Sequence, residues 1–131
     1  MNVKEFLQDY EVSCYVKRIY RRPDEDFIGF GPNARHYEIT LYYEDRHYRL
    51  HYSQGCAHTA DPTLEDVLEC LVMDSAYIDR ASSFEEWADE FGYDTDSRKA
   101  EKIYKACKDQ YENLQYLFGE AFEDFLNIEE E

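Results

Sequence analysis

The spacing of apolar residues changes once along this chain, at Thr63. Before it, apolar residues tend to recur at every second position. After it, they recur every third or fourth. Period two belongs to strands half-buried in a sheet, and a period near 3.6 belongs to amphipathic helices. A chain that switches once, rather than alternating strand and helix, reads as α+β: a small antiparallel sheet of about three strands, then a helical half of three to four helices. At 131 residues it is expected to form a single domain over 1–131, with the β portion at 10–53 and the helical portion at 63–127.

The strands come first. Residues 10–21 alternate, with Tyr10, Val12, Cys14 and Val16 on one face and Glu11, Ser13 and Lys17 on the other, Tyr15 and Ile19 among them. This strand ends in KRIYRR, read as a solvated strand end or a partner for the chain's own carboxylates, in preference to a local contact site. Residues 22–35 form a connection broken by Pro23, Gly29, Gly31 and Pro32, with Phe27, Ile28 and Phe30 expected to tuck back onto the sheet. Its GxG has no third glycine and no following helix, which excludes a dinucleotide fingerprint. Residues 36–53 form a hairpin. A tight turn around Asp45 and Arg46 pairs Tyr43 with Tyr48, Leu41 with Leu50 and Ile39 with Tyr52, which puts every apolar side chain on one face. Residues 1–9 are either a short amphipathic helix anchored by Phe6 and Leu7 or a loose arm.

After the linker 54–62, Thr63 caps a helix with Leu64, Val67, Leu68, Leu71 and Val72 on its inner face, ending near Met73 or Ser75. Residues 76–82 read as a loop. Ser83 and Glu86 form a capping box for a second helix, whose inner face is Phe84, Trp87, Ala88 and Phe91 and whose stop is Gly92. A long helix follows, capped by Asp96, with an inner stripe of Ala100, Ile103, Tyr104, Cys107, Tyr111, Leu114 and Phe118. Gly119 stops it, and a last amphipathic turn carries Phe122, Phe125 and Leu126. The helices are expected to lay these stripes on the Tyr37–Tyr52 face of the sheet.

Catalytic and metal motifs fare poorly. DTDSRK at 94–99 imitates a calcium loop, but Arg98, Lys99 and Lys105 stand where that loop needs an oxygen ligand, a glycine and a glutamate. His47, His51, Cys56 and His58 lie within twelve residues. His47 and His51, four apart on a strand, are about 13 Å apart, too far for one zinc ion. A Cys–His nucleophile from Cys56 with His58, or Cys14 with His51, depends on the fold. No GxSxG, HExxH or phosphate-binding glycine loop is present. The expectation is a non-enzyme with no catalytic residues, cofactor or metal. The four cysteines form no CxxC pair. No signal peptide or apolar run of about 20 residues appears, so an intracellular, cytoplasmic protein with reduced thiols and no membrane contact is expected.

Charge supplies the functional lead. The formal net charge is −16. Residues 61–96 hold 12 acids and one base, Arg80, whereas 97–108 hold five bases and one acid. Such a chain repels nucleic acid directly and favours basic partners, including the nucleic-acid channels of other proteins. The expected contact residues are Glu65, Asp66, Glu69, Glu85, Glu86, Asp89, Glu90, Asp94 and Asp96, on two successive helices and the turn after them.

PTLEDVLECLVMD at 62–74, SFEEWADEFGYDTDSRKAEKIYKAC at 83–107 and LQYLFG at 114–119 together resemble a widespread set of small phage-encoded proteins, most of unknown activity. Their shared pattern is PT…DVL.CL, then FE.W..E.GYD.DSRKAE..Y, then FG; with the preceding strand segment, the resemblance covers about residues 36–119. It implies an accessory phage or prophage protein expressed inside a bacterium, a company in which small acidic proteins often antagonise host defence. The function expected is therefore a non-enzymatic counter-defence inhibitor of the anti-CRISPR type, binding a basic groove of a host defence nuclease or another nucleic-acid-binding protein. The alternative is a phage structural or regulatory protein acting as a homodimer through exposed tyrosines, without mimicry.

Overall fold

Three antiparallel strands, β1 (Val12–Ile19), β2 (Arg35–Tyr43) and β3 (Arg46–Gln54), form a sheet in the order β1-β2-β3. The computed structural model describes residues 1–19, 35–55 and 60–129. Around the sheet lie α1 (Val3–Asp9), α2 (Leu64–Arg80), α3 (Phe84–Phe91), α4 (Arg98–Phe118) and α5 (Phe122–Leu126), with a 3-10 turn over Gly119–Ala121. The fold is α+β, as the single change of period predicts. The connection 22–34, the end of KRIYRR, Cys56 and His58 lie outside the described residues.

The hairpin keeps the expected face and changes the expected register. Leu41 faces Tyr48, Ile39 faces Leu50 and Tyr37 faces Tyr52, two residues displaced from the pairing read off the pattern. The closing pair is Tyr43–Arg46, so the turn is Glu44–Asp45, with Glu44 at φ 56°. A shift of two leaves side chains on the same face. Tyr37, Ile39, Leu41 and Leu50 are thus buried under the helices all the same. Arg46, brought inward by this turn, donates from Nε to the Leu117 carbonyl at 2.9 Å. A cation here answers the unpaired carbonyls at the C-terminus of α4. Gly119 follows at φ 55°, and a Cβ there would stand 3.3 Å from the Arg46 guanidinium. Both facts favour glycine at this stop.

Two helix boundaries depart from expectation. The segment 76–82 is no loop as far as residue 80: α2 continues to Arg80. No glycine or proline interrupts it, and Ile78 continues the buried face of Leu71 and Ser75. Ser97, not Asp96, caps α4, its Oγ accepting from the Ala100 amide at 3.2 Å. The first strand begins at Val12 rather than Tyr10, because Tyr10 closes α1. Of the two readings for residues 1–9, the helix is correct. It is anchored by Phe6, fully buried, and by Val3, while Leu7 is only partly buried.

The buried side chains fall into two clusters. The larger joins Phe6, Tyr37, Ile39, Leu41, Leu68, Leu71, Leu114, Leu117, Phe118 and Phe125 with their neighbours, between the inner sheet face and α1, α2, α4 and α5. The smaller holds Ile78, Trp87, Ala88 and Ala100, ringed by Tyr77, Phe84, Tyr93, Ile103 and Tyr104. It fastens α3 to the far end of α2 and the first turns of α4. Between them, Gln110 Nε2 meets Asp74 Oδ2 at 3.4 Å, and Tyr111 Oη donates to Asp79 at 3.0 Å.

Candidate functional site

The acidic edge is built on α3. Ser83 Oγ accepts from the Glu86 amide at 3.3 Å, which pairs one of the first-turn donors of α3. The Glu86 carboxylate reaches back to the Ser82 amide at 3.0 Å, one residue earlier than a reciprocal capping box requires. That bond holds the Glu86 carboxyl below its ordinary pKa. At the other end, Gly92 adopts φ 75° and donates to the last turn of α3. Trp87 is 1% exposed, with the rings of Phe91, Tyr104 and Tyr93 at 4.9, 5.4 and 5.7 Å. With Trp87 and Ala88 turned inward, the helical period turns Glu85, Glu86, Asp89 and Glu90 outward, and all four are exposed. Asp94 and Asp96 continue the edge through the turn and are exposed as well.

The nine expected contact residues do not form one surface. Glu65, Asp66 and Glu69 lie in the first turns of α2. Glu65 and Glu69 line a cleft of about 290 Å³ with Asn2, Val3, Lys4, Val72, Ile128 and Glu129, beside the bond from the Glu129 amide to the Met1 carbonyl. Glu69 precedes Arg80, which reaches α3, by eleven residues, about 16 Å of helix. The α2 acids and the α3 edge are therefore separate. Asp66 is also committed locally: its carboxylate accepts from the Thr63 amide at 3.1 Å and completes that capping box. Glu90 pairs with Arg80 at 3.2 Å, an exposed bridge worth about 0–1 kcal/mol. Among the described residues, Glu85, Asp89, Asp94 and Asp96 remain as exposed carboxylates that neither cap a helix nor make an ion pair. In the basic band that follows, Lys108 lies over the Tyr104 ring at 5.6 Å.

The three thiols among the described residues are not poised as nucleophiles. Cys14, Cys70 and Cys107 are free and half-buried, and burial raises all three pKa values, that of Cys107 to about 12. Cys14 pairs with Leu41 on the inner sheet face, whereas His51 pairs with Glu38 on the outer one, so the two cannot act together. Among the described residues, no three His, Cys, Asp or Glu side chains gather around a common point. No helix among them is long and apolar enough to cross a membrane.

Sequence reasoning missed His36. On the outer face, His36 Nδ1, His51 Nε2 and Ser53 Oγ lie within 3.1 Å of one another. Burial, and secondarily the neighbouring His36, lowers the His51 pKa. Only the register, which sets His36 opposite Ser53, brings them together. The one available sequence signal was the even spacing of His51 and Ser53 on a strand.

No protein-family model, curated protein or solved structure matches this chain.

Proposed function

We propose that this protein is a phage counter-defence inhibitor of the anti-CRISPR type, without catalysis of its own, acting in the cytoplasm of a bacterial host. The resemblance to small phage-encoded proteins motivates that setting. The observation that carries the binding mode is the row of exposed carboxylates at Glu85 and Asp89, on a helix that Trp87 pins to the body, and at Asp94 and Asp96 in the turn after it. Carboxylates on a rigid helix present fixed negative charge, as a nucleic-acid backbone does. A basic nucleic-acid groove of a host nuclease would attract them strongly at low salt. Glu86 and Glu90 contribute charge while also holding the helix, and the α2 trio is a secondary patch.

The test follows from that division. Reversing Glu85, Asp89, Asp94 and Asp96 to Lys leaves the caps and the Arg80 bridge intact. The variant should keep its circular dichroism and melting curve yet lose inhibition of the effector nuclease. Wild-type binding should weaken with added salt. Undiminished inhibition by the folded variant would sink the proposal.

A second reading rests on Tyr15 and Tyr42, diagonal neighbours on the outer sheet face that are 62% and 44% exposed. They suit a homodimer of a phage structural or regulatory protein. Light scattering after size exclusion separates the readings: a strict monomer at high concentration removes the dimer.

A further inference from the structure

On the outer sheet face, His36 sits opposite Ser53, and His51 is its diagonal neighbour across the same pair of strands. His36 Nδ1 is 3.1 Å from His51 Nε2 and 2.8 Å from Ser53 Oγ, and His51 Nε2 is 3.1 Å from the same oxygen. Three polar atoms thus form a small triangle, with ring centroids 5.2 Å apart behind the two nitrogens. We propose that this triangle is a binding site for a divalent transition-metal ion that prefers imidazole, Zn²⁺ or Cu²⁺ by chemical class.

Distance is the first reason. Two ligands on a tetrahedral zinc, each about 2.0–2.1 Å from the ion, are about 3.3 Å from each other. The imidazole nitrogens here already stand 3.1 Å apart. An ion at zinc–nitrogen distance from all three atoms would sit about 1 Å above the plane of the triangle. Proton accounting is the second reason. Two imidazole nitrogens approach to 3.1 Å only if at least one presents a lone pair to the other. A cation accepts both lone pairs, and the hydroxyl oxygen supplies a third, weaker donor.

Scaffold is the third reason. Both imidazoles rise from paired strands rather than from a loop, in the register that the Glu44–Asp45 turn closes. The strand pair also provides a carboxylate nearby. Glu38 lies directly opposite His51 on the same face, with Oε1 now 3.8 Å from Arg49 Nε. Water, or Glu38 after a side-chain rotation, would fill the remaining position. Imidazole ligation suits zinc and copper over calcium or magnesium, which take oxygen. The site lies on a different element from the acidic edge of α3, and its occupancy is independent of how the protein binds a partner.

The test is a calorimetric titration of the full chain with zinc chloride in a non-chelating buffer. One equivalent should bind. His36→Gln and His51→Gln should each weaken binding roughly ten-fold or more, since losing even an outer-shell partner of a ligand typically costs that much. His47→Gln, on the same strand face but outside the triangle, should leave it unchanged. Should the variants misfold, the wild type decides: zinc should shift the imidazole proton resonances of His36 and His51 and spare His47. Cobalt substitution reports the ligand type. The absence of a sulfur-to-metal charge-transfer band supports the triangle, whereas its presence would assign the metal to the cysteines and overturn the proposal. So would failure to bind zinc, or equal loss in the His47 variant.

Discussion

The two buried clusters are built from the same kinds of side chain and hold very different amounts of structure. The larger draws on four helices and the sheet, and its members come from both ends of the chain: Phe6 packs edge-on against Phe118 and Phe125 at 5.6 and 6.0 Å. The smaller has four buried residues, and one ring, Trp87, has the rings of Phe84, Phe91, Tyr93 and Tyr104 around it. Contacts in the first are redundant, whereas those in the second converge on one side chain. Local opening follows contact density, so α3 should open at lower free energy than the body. The proposed interaction edge therefore rides on the less stable of the two regions.

The sharpest way to break that comparison is a matched pair of truncations. Phe125→Ala removes a fully buried ring from the body and should cost about 3–5 kcal/mol, a large part of the 5–15 kcal/mol typical of a domain. Its effect should appear equally in far-ultraviolet dichroism and in Trp87 fluorescence. Trp87→Ala removes a ring at least as large, but α3 can detach before the body unfolds. Most helical signal should survive while amide exchange along 84–91 accelerates. Identical global losses in the two variants would show that the clusters form one cooperative unit.

A smaller effect concerns the residues between the clusters. Ser75 lies on α2 between Leu71 and Ile78, and its buried Oγ has no hydrogen-bond partner among the described residues. Ser75→Ala should stabilise the protein by about 1 kcal/mol, because an unpaired buried hydroxyl is a cost. A denaturant midpoint that falls instead would reveal a partner for this hydroxyl.

The smallest effect carries a pH signature. Burial raises the Asp74 carboxyl above its ordinary 3.8, against the lowering effect of the Gln110 hydrogen bond. The folded state thus holds this proton more tightly than the unfolded chain. No penalty exists below the unfolded value; it grows as pH rises through the folded one and then stays constant. Asp74→Asn, which keeps an acceptor for Gln110, should raise the melting temperature slightly at pH 7 and leave it unchanged below about pH 4. A gain that persists at low pH would point to packing rather than charge.

Much of the helical half was legible because its signals are local. Thr63, Ser83, Gly92 and Gly119 act within one turn of where they stand, and each does in the structure what its residue type favours. The end of α2 was not legible in the same way. Nothing local stops a helix at Ser75, and what carries it on to Arg80 is the burial of Ile78 beside Trp87, a contact with residues further along the chain. The acidic edge was legible residue by residue but not as a surface. Charge counts along the chain merge Glu65 and Glu69 with Glu85 and Asp89, and the length of α2 separates them.

The sequence by itself determined which face of each strand and helix is apolar, and hence the α+β class. Only the tertiary structure decided the register of the hairpin. A period-two pattern is unchanged by a shift of two residues, so it cannot choose between a turn at Asp45–Arg46 and one at Glu44–Asp45. Cross-strand neighbours do change with that shift. The turn that carries Arg46 to the Leu117 carbonyl also sets His36 beside His51 and Ser53, and the other register would leave the two imidazoles several residues apart along the strands.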